Sequence, residues 1–219
     1  MKTLGVIPAR GGSKGIPQKN IKLLNGKPLI SYTIEAALRS ALSKVIVSTD
    51  CLKIAEISEK WGAEVILRDK KLARDDTPTL AVLQSLLKTI GSEYDAVMTL
   101  QPTSPLRNFE HINQALDIFR KDGSADSLVS VVRVPHNFQP EKIMHLDGAY
   151  LMGHNNPNRR QMADHVYARN GAAIYITKIA LLDESIFGGN ILPYVMNKLD
   201  SFDIDDTEDW EIVEKFLSF

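Results

Sequence analysis

Short runs rich in valine, isoleucine and leucine alternate along the chain with longer segments in which apolar residues recur every three or four positions. The spacing predicts strands over Leu4 to Pro8, Lys44 to Ser48, Glu64 to Arg68, Ala96 to Gln101 and Leu128 to Val134. Between them, Pro28 to Leu42, Leu52 to Trp61, Thr79 to Ile90 and Phe109 to Lys121 carry the helical period. Such alternation implies an α/β domain, a mostly parallel sheet with helices on both faces. The first run is apolar throughout, as a central strand buried on both sides would be. Open α/β sheets bind ligands beyond the carboxyl ends of their strands. A site is therefore expected in the residues that follow Pro8.

After Val134 the pattern breaks. Pro135 to Ala168 contains three prolines, four of the five histidines and the turn HNNPNRR, between segments that could pair as ribbons. It is too long for an ordinary connection, so it is either a mobile functional loop or a small subdomain that packs on something else. A second copy of the chain is the obvious candidate. The regular pattern resumes with a strand over Ala172 to Thr177, a short helix near Lys178 to Glu184, a weaker strand around Tyr194 to Lys198, and an amphipathic helix from Thr207 to Leu217. The chain is accordingly read as one domain, 1–219, with 135–168 as an inserted extension.

With 26 basic and 27 acidic side chains among 219 residues, the molecule has no global field to attract nucleic acid or an anionic membrane. Any anion site must be local. The N-terminal apolar run is too short for a signal peptide and nothing approaches the ~18 apolar residues of a membrane span, so a cytoplasmic protein is expected. The single cysteine, Cys51, agrees with a reducing compartment and reads as a small hydrophobe. The histidines, at 111, 136, 145, 154 and 165, have no zinc spacing.

Four stretches carry candidate chemistry. The first, IPARGGSKGIPQKN, follows the first strand. Gly11, Gly12 and Gly15 permit unusual backbone angles and close approach, so that N–H groups can converge on phosphate oxygens, while Arg10, Lys14 and Lys19 add charged donors. It matches neither a Walker A motif nor a dinucleotide turn, and a solvated basic loop is the competing reading. The second is SFDIDDTEDW. If Phe202 to Ile204 continue a strand, Asp203 and Asp205 share a face and could hold a hard divalent cation such as Mg²⁺, whose remaining ligands come from substrate phosphates. One of Asp205, Asp206 and Thr207 is also expected to cap the last helix. The third, LQPTSPLR, offers Gln101, Thr103 and Ser104 as neutral donors and acceptors and Arg107 as a possible anion fork. The fourth, ARNGAAIY, could present Arg169 and Asn170 to a ligand.

Together with VSTD (Val47 to Asp50), VILR (Val65 to Arg68) and DDTPT (Asp75 to Thr79), these motifs closely resemble, in order and spacing, the acylneuraminate cytidylyltransferases, the CMP-sialic acid synthetases. The resemblance runs over essentially the whole chain. It implies a Rossmann-like nucleotidyltransferase fold and a homodimer in which an extension of one subunit completes the sugar pocket of the other. The implied reaction joins CTP to a nine-carbon 2-keto sugar acid, such as N-acetylneuraminate or legionaminate, giving the CMP-sugar and pyrophosphate. By the same resemblance Arg10, Ser13 and Lys14 would hold phosphates, and Lys19 and Asn20 would contact CTP. Ala9, Arg68 and Thr77 would contribute to the nucleotide pocket, and Asp203 and Asp205 would bind Mg²⁺. Gln101 would contact the sugar acid, with Arg160, Asn170 and Tyr175 as further candidates.

One departure stands out. Many members of the family read Tyr-Arg-x-Asn-Gly-Ala where this chain has Tyr167-Ala168-Arg169-Asn170-Gly171-Ala172. In an extended segment that displacement turns the arginine to the opposite face. A cytidylyltransferase for another acceptor, such as the eight-carbon acid KDO, and a non-catalytic nucleotide- or sugar-binding regulator on the same fold are the competing functions.

Overall fold

The computed structural model describes residues 1–91, 93–153 and 166–218. Strand β1 (Thr3–Pro8) runs through the opening loop to a two-stranded ribbon, β2 (Leu23–Leu24) and β3 (Lys27–Pro28), and then to helix α1 (Leu29–Leu38). There follow β4 (Lys44–Thr49), α2 (Leu52–Lys60), β5 (Glu64–Leu67), α3 (Thr79–Ile90), β6 (Ala96–Thr99), α4 (Phe109–Lys121) and β7 (Ser127–Arg133). A separate hairpin, β8 (Met144–Asp147) and β9 (Tyr150–Gly153), precedes β10 (Tyr167–Arg169), β11 (Tyr175–Lys178), β12 (Ile191–Met196) and α5 (Thr207–Leu217).

The main sheet has the order β10-β7-β11-β6-β1-β4-β5, with β12 on the free edge of β7. The half built from β6, β1, β4 and β5 is parallel throughout. β11 enters antiparallel to both β6 and β7. Along β1, Leu4 and Val6 point to one face and Ile7 to the other, each fully buried. The first face packs on α3 through Leu83 and Leu86. The second packs on α1, α2 and α4 through Ile34, Ile54, Ile112 and Leu116. Both faces are thus removed from water, which is why the strands lack polar alternation.

Helices α3, α4 and α5 have the bounds that their apolar period predicts, and their ends have local causes. Asn108 caps α4 by accepting from the amides of Glu110 and His111, and Asp206 does the same for α5 with Glu208 and Asp209. Gly91, at φ +81, terminates α3. Helix α1 is shorter than its pattern, since Pro28 is its N-cap and Arg39 its C-cap. The short helix expected over 178–184 is a 3-10 turn, Ile179–Asp183.

Two strands are displaced from their expected positions. The weak strand expected from Tyr194 starts earlier, at Ile191, and admits Pro193 because among the described residues no strand pairs with its other edge. The strand expected from Ala172 begins only at Tyr175. Arg169 pairs with Val131 and Tyr175 with Val129, so residues 170–174 all lie opposite Ser130. The bulge is held by Ser130, whose Oγ donates to Asn170 Oδ1 at 2.6 Å and accepts from the Ile174 amide at 2.9 Å. Gly171 and Ala172 both take left-handed angles there, φ +64 and +56. Bulges of this kind redirect side chains beside functional sites.

Candidate active site

The opening loop leaves β1 at its carboxyl end. Ala9 is buried in the core and its amide donates to Ser48 O at 2.9 Å, so it seats the loop from below and its methyl does not face the cleft. Gly11 donates its amide to Asp50 Oδ1 at 3.0 Å, and a Cβ on it would lie 2.9 Å from Cys51 Cβ. At Gly15 a Cβ would stand 2.5 Å from Asp205 O. Close approach, and not left-handed geometry, is what these two glycines supply; Gln18 is the left-handed residue of the loop, at φ +52. Asn20 is buried and donates from Nδ2 to Arg10 O at 3.0 Å, fixing the backbone behind the arginine.

Above the loop lies a cleft of about 370 Å³, lined by Arg10, Ser13, Lys14, Gly15, Lys19, Asn20, Arg68, Leu72, Asp75, Thr77, Thr79, Val82, Gln101, Thr103 and Asp205, among others. Arg10 and Lys14 both reach Asp75, at 2.5 and 2.9 Å. Arg68 donates from Nη1 to Ser48 O at 2.8 Å, while its buried Nε has no protein partner. Burial lowers its pKa, Asp50 opposes that, and Arg10 adds to it. The lining also includes apolar Leu72 and Val82 and the threonines Thr77 and Thr79. Several cations together with apolar and hydroxyl side chains in one cleft suit a ligand that carries both a polyanionic and an aromatic part.

The acidic segment reaches the cleft, through Asp205, by an irregular path, since residues 202–205 form no strand. The pair is set by the residue between: Ile204 is fully buried against Ile16, Leu29, Trp210 and Val213, which ties this segment to the opening loop and α5. Lys19 Nζ donates to Ile204 O at 2.6 Å. Asp205 is exposed at the cleft, while Asp203 is turned inward, with Ser104 Oγ 3.5 Å from its Oδ1. Burial is the main reason that the Asp203 pKa is raised, and the neighbouring Asp205 charge adds to it. Asp206 is the residue that caps α5.

These features test whether a divalent cation fits. Asp203 and Asp205 repel one another, and among the described residues Asp203 makes no ion pair with a protein cation within 4.0 Å, so a cation would relieve both. Among the described residues no group of three or more histidine, cysteine, aspartate or glutamate side chains gathers. Two carboxylates with an open phosphate side is the donor set that Mg²⁺ accepts and that zinc and calcium sites usually exceed.

A second, more open hollow of about 460 Å³ is lined by Gln101, Arg169, Gly171, Ala172, Tyr175 and Ile186. Gln101 lines both cavities and so stands at their junction. Arg169 lies on this hollow, with its guanidinium 4.9 Å from the Phe187 ring; it pairs with Val131 in the regular strand β10, on the face opposite Ala168, and the bulge that follows brings Tyr175 to the same hollow. Tyr175 packs edge-on to Phe187 at 5.5 Å. Asn170, expected to touch the sugar, is instead buried, with its amide spent on Ser130, Ser201 Oγ and Met196 Sδ. Arg160 lies outside the described residues.

Arg107 is likewise no surface fork. It is 1% exposed and donates to Gln101 O, Ala173 O and Thr33 Oγ1, at 3.2, 2.9 and 2.5 Å. One side chain thus clamps the turn that carries Gln101 to the bulge and to α1. Burial pushes its pKa down to about 9, above neutrality, so it remains a cation, and Asp203 favours that charge. Asp50 and Asp75 are the residues the motif reading quoted without assigning. Both stand in loops beyond the carboxyl ends of parallel strands, the position where functional side chains are expected.

The cytidylyltransferase family model matches residues 4–216. The chain is 37% identical over 218 residues to an N-acylneuraminate cytidylyltransferase of Escherichia coli, covering 96% of this chain and 51% of that protein. It is 34% identical over 236 residues to the CMP-N,N'-diacetyllegionaminic acid synthase of Legionella pneumophila, covering 99% and 97%. A Danio rerio N-acylneuraminate cytidylyltransferase is 36% identical, with 96% of this chain and 49% of that one covered. The chain therefore spans about half the length of the N-acylneuraminate enzymes it matches and nearly all of the Legionella relative. Among solved structures, a CMP:2-keto-3-deoxy-manno-octonic acid synthetase complexed with CTP matches with a TM-score of 0.77 at 19% identity, covering 100% of this chain and 99% of that one. A 4-diphosphocytidyl-2C-methyl-D-erythritol synthase of Anaerococcus prevotii matches with a TM-score of 0.70 at 13% identity, with the same coverage. At those identities the likeness is one of fold.

Proposed function

The chain belongs to the cytidylyltransferase family, and from that premise we propose that it joins CTP to a nine-carbon 2-keto sugar acid of the sialic or legionaminic type. The observation that carries this reading is the junction at Gln101, where a cleft lined by Arg10, Lys14, Lys19, Arg68 and Arg74 meets a second hollow lined by Arg169 and Tyr175. Relatives named for both sugars, at similar identity, support the acceptor class.

In this reading Arg10 and Lys14 hold the β- and γ-phosphates, and Ser13 offers a further donor. Arg68, with its unpartnered Nε, takes a phosphate oxygen or the nucleoside edge, and Thr77 borders the base. The anomeric hydroxyl attacks the α-phosphorus in line; the bond to the bridging oxygen breaks and pyrophosphate carries away the electron pair. Arg10, Lys14 and Lys19 stabilise the charge that builds on the leaving group, which is where fixed cations are most effective. Asp203 and Asp205 would hold Mg²⁺, which when bound supplies Lewis acidity and a template for the two reactants. The sugar carboxylate is assigned to Arg169, a fork suited to that group.

The exposed apolar side chains of the β8–β9 hairpin, Met144, Leu146, Tyr150 and Leu151, support a homodimer built through this extension. CTP as substrate points to the cytoplasm as the place of action. No helix among the described residues is long and apolar enough to cross a membrane.

The test is pyrophosphate release from CTP and Mg²⁺ against a panel of N-acetylneuraminate, legionaminate, pseudaminate and KDO. Turnover with a nine-carbon acid is the expected result. Turnover with KDO alone replaces the acceptor, and CTP binding without turnover on any of them favours a regulator.

A further inference from the structure

Asp75 stands in the cleft at the point where the two cations of the opening loop meet. Arg10 Nη1 is 2.5 Å from its Oδ1 and Lys14 Nζ 2.9 Å from its Oδ2, so one carboxylate satisfies both, one oxygen to each. A phosphate group would bridge the same two donors in the same way. Arg10 lies 65 residues from Asp75 in sequence, which makes the contact a tertiary one between two loops.

The pairing does not resemble a structural staple. The Arg10, Asp75 and Lys14 side chains are 33%, 47% and 78% exposed, and exposed pairs contribute little to folding stability. Two nearby loop carboxylates have backbone duties, Asp50 with the Gly11 amide and Asp69 with the Lys71 amide, and Asp76 pairs with Arg74 two residues away. Among the described residues the partners of Asp75 are the two loop cations, with no backbone amide, and residues 74–78 around it belong to no helix or strand.

We propose that Asp75 is a built-in competitor for polyphosphate. It occupies Arg10 and Lys14 while the cleft is free, yields them when a polyphosphate enters, and takes them back as pyrophosphate departs. The competitor weakens polyphosphate binding, because the binding-competent state is only a fraction of the whole. The inference rests on the opening loop being the phosphate cradle proposed above.

The experiment is calorimetric titration of the full chain with inorganic pyrophosphate and with tripolyphosphate, without sugar acid. Wild type is compared with Asp75→Asn, which keeps the shape and removes the charge, and with Asp75→Ala. Both variants are expected to bind each polyphosphate about two- to tenfold more tightly, with the gain reduced when Lys14→Met is added. Binding unchanged or weaker in both variants, with wild type binding normally, overturns the competitor and leaves the cradle in place. Absence of polyphosphate binding by wild type and variants alike removes the cradle reading and the competitor with it. Tighter binding without turnover on the sugar panel retains the competitor and removes the acceptor assignment.

Discussion

The Asp203 carboxylate lies directly against the backbone of Gly171: a Cβ added to that glycine would meet Asp203 Oδ2 at 2.1 Å. Gly171 also has a φ of +64, where side chains are strained. Two loops separated by the whole of β11 and β12 are therefore fitted to one another at a residue assigned to the metal. Gly171→Ala is expected to displace Asp203 and to lower stability by about 1–3 kcal/mol. It should raise the Mg²⁺ concentration needed for half-maximal pyrophosphate release; an unchanged Mg²⁺ dependence would show that Asp203 is not so held.

Asp203→Ala and Asp205→Ala should each reduce Mg²⁺-dependent turnover by on the order of 100-fold without unfolding the chain. The core residue that anchors the segment, Ile204, is untouched by either change. Rates near wild type with intact circular dichroism would remove the metal assignment.

The raised pKa of Asp203 fixes the sign of a pH effect. Burial makes the folded chain hold the proton at higher pH than the unfolded chain does. The resulting stability is fully present below the unfolded pKa and is lost as pH rises through the folded one, so the ionised carboxylate is destabilising at neutral pH. Activity runs the other way, because a metal-binding carboxylate must be ionised. The acid limb of kcat/KM should therefore lie above the ordinary aspartate range and move to lower pH as Mg²⁺ is raised. A limb indifferent to Mg²⁺ would separate it from Asp203.

Arg107→Met should cost about 2–4 kcal/mol, since it leaves Gln101 O, Ala173 O and Thr33 Oγ1 without their buried donor. Arg107→Lys should recover only part of this, because an ammonium cannot span three acceptors set for a planar fork. Denaturant unfolding of the three proteins checks the order.

Leu151→Asp places a charge on the exposed apolar face of the β8–β9 hairpin. If that face joins two copies, the variant should be a monomer by light scattering where the parent is a dimer. It should also lose sugar-acid turnover while CTP binding is retained. A dimer that survives the change would move the interface elsewhere.

Much of this was legible in the residues. Continuous apolar runs and three- to four-residue apolar spacing determined the layered α/β architecture, because burial on both faces and on one helix stripe are local demands. The motif IPARGGSKGIPQKN carried the loop cations, and SFDIDDTEDW carried both the acids and the cap of α5. What the sequence could not decide was where side chains point once the chain leaves regular structure. A two-residue period sets Arg169 opposite in face to Ala168, but it gave no sign that five residues bulge opposite Ser130 and so bring Arg169 and Tyr175 to neighbouring positions along β7. Arg107 and Asn170 read as ligand donors, since both are polar and near turns. Tertiary packing buries them and spends their donors on carbonyls, hydroxyls and a thioether. Asp75 was one acid within DDTPT until folding brought it to Arg10 and Lys14. Periodicity reports which face is buried over a short length of chain; which donors and charges meet depends on contacts between residues far apart in sequence, and those exist only in the folded molecule.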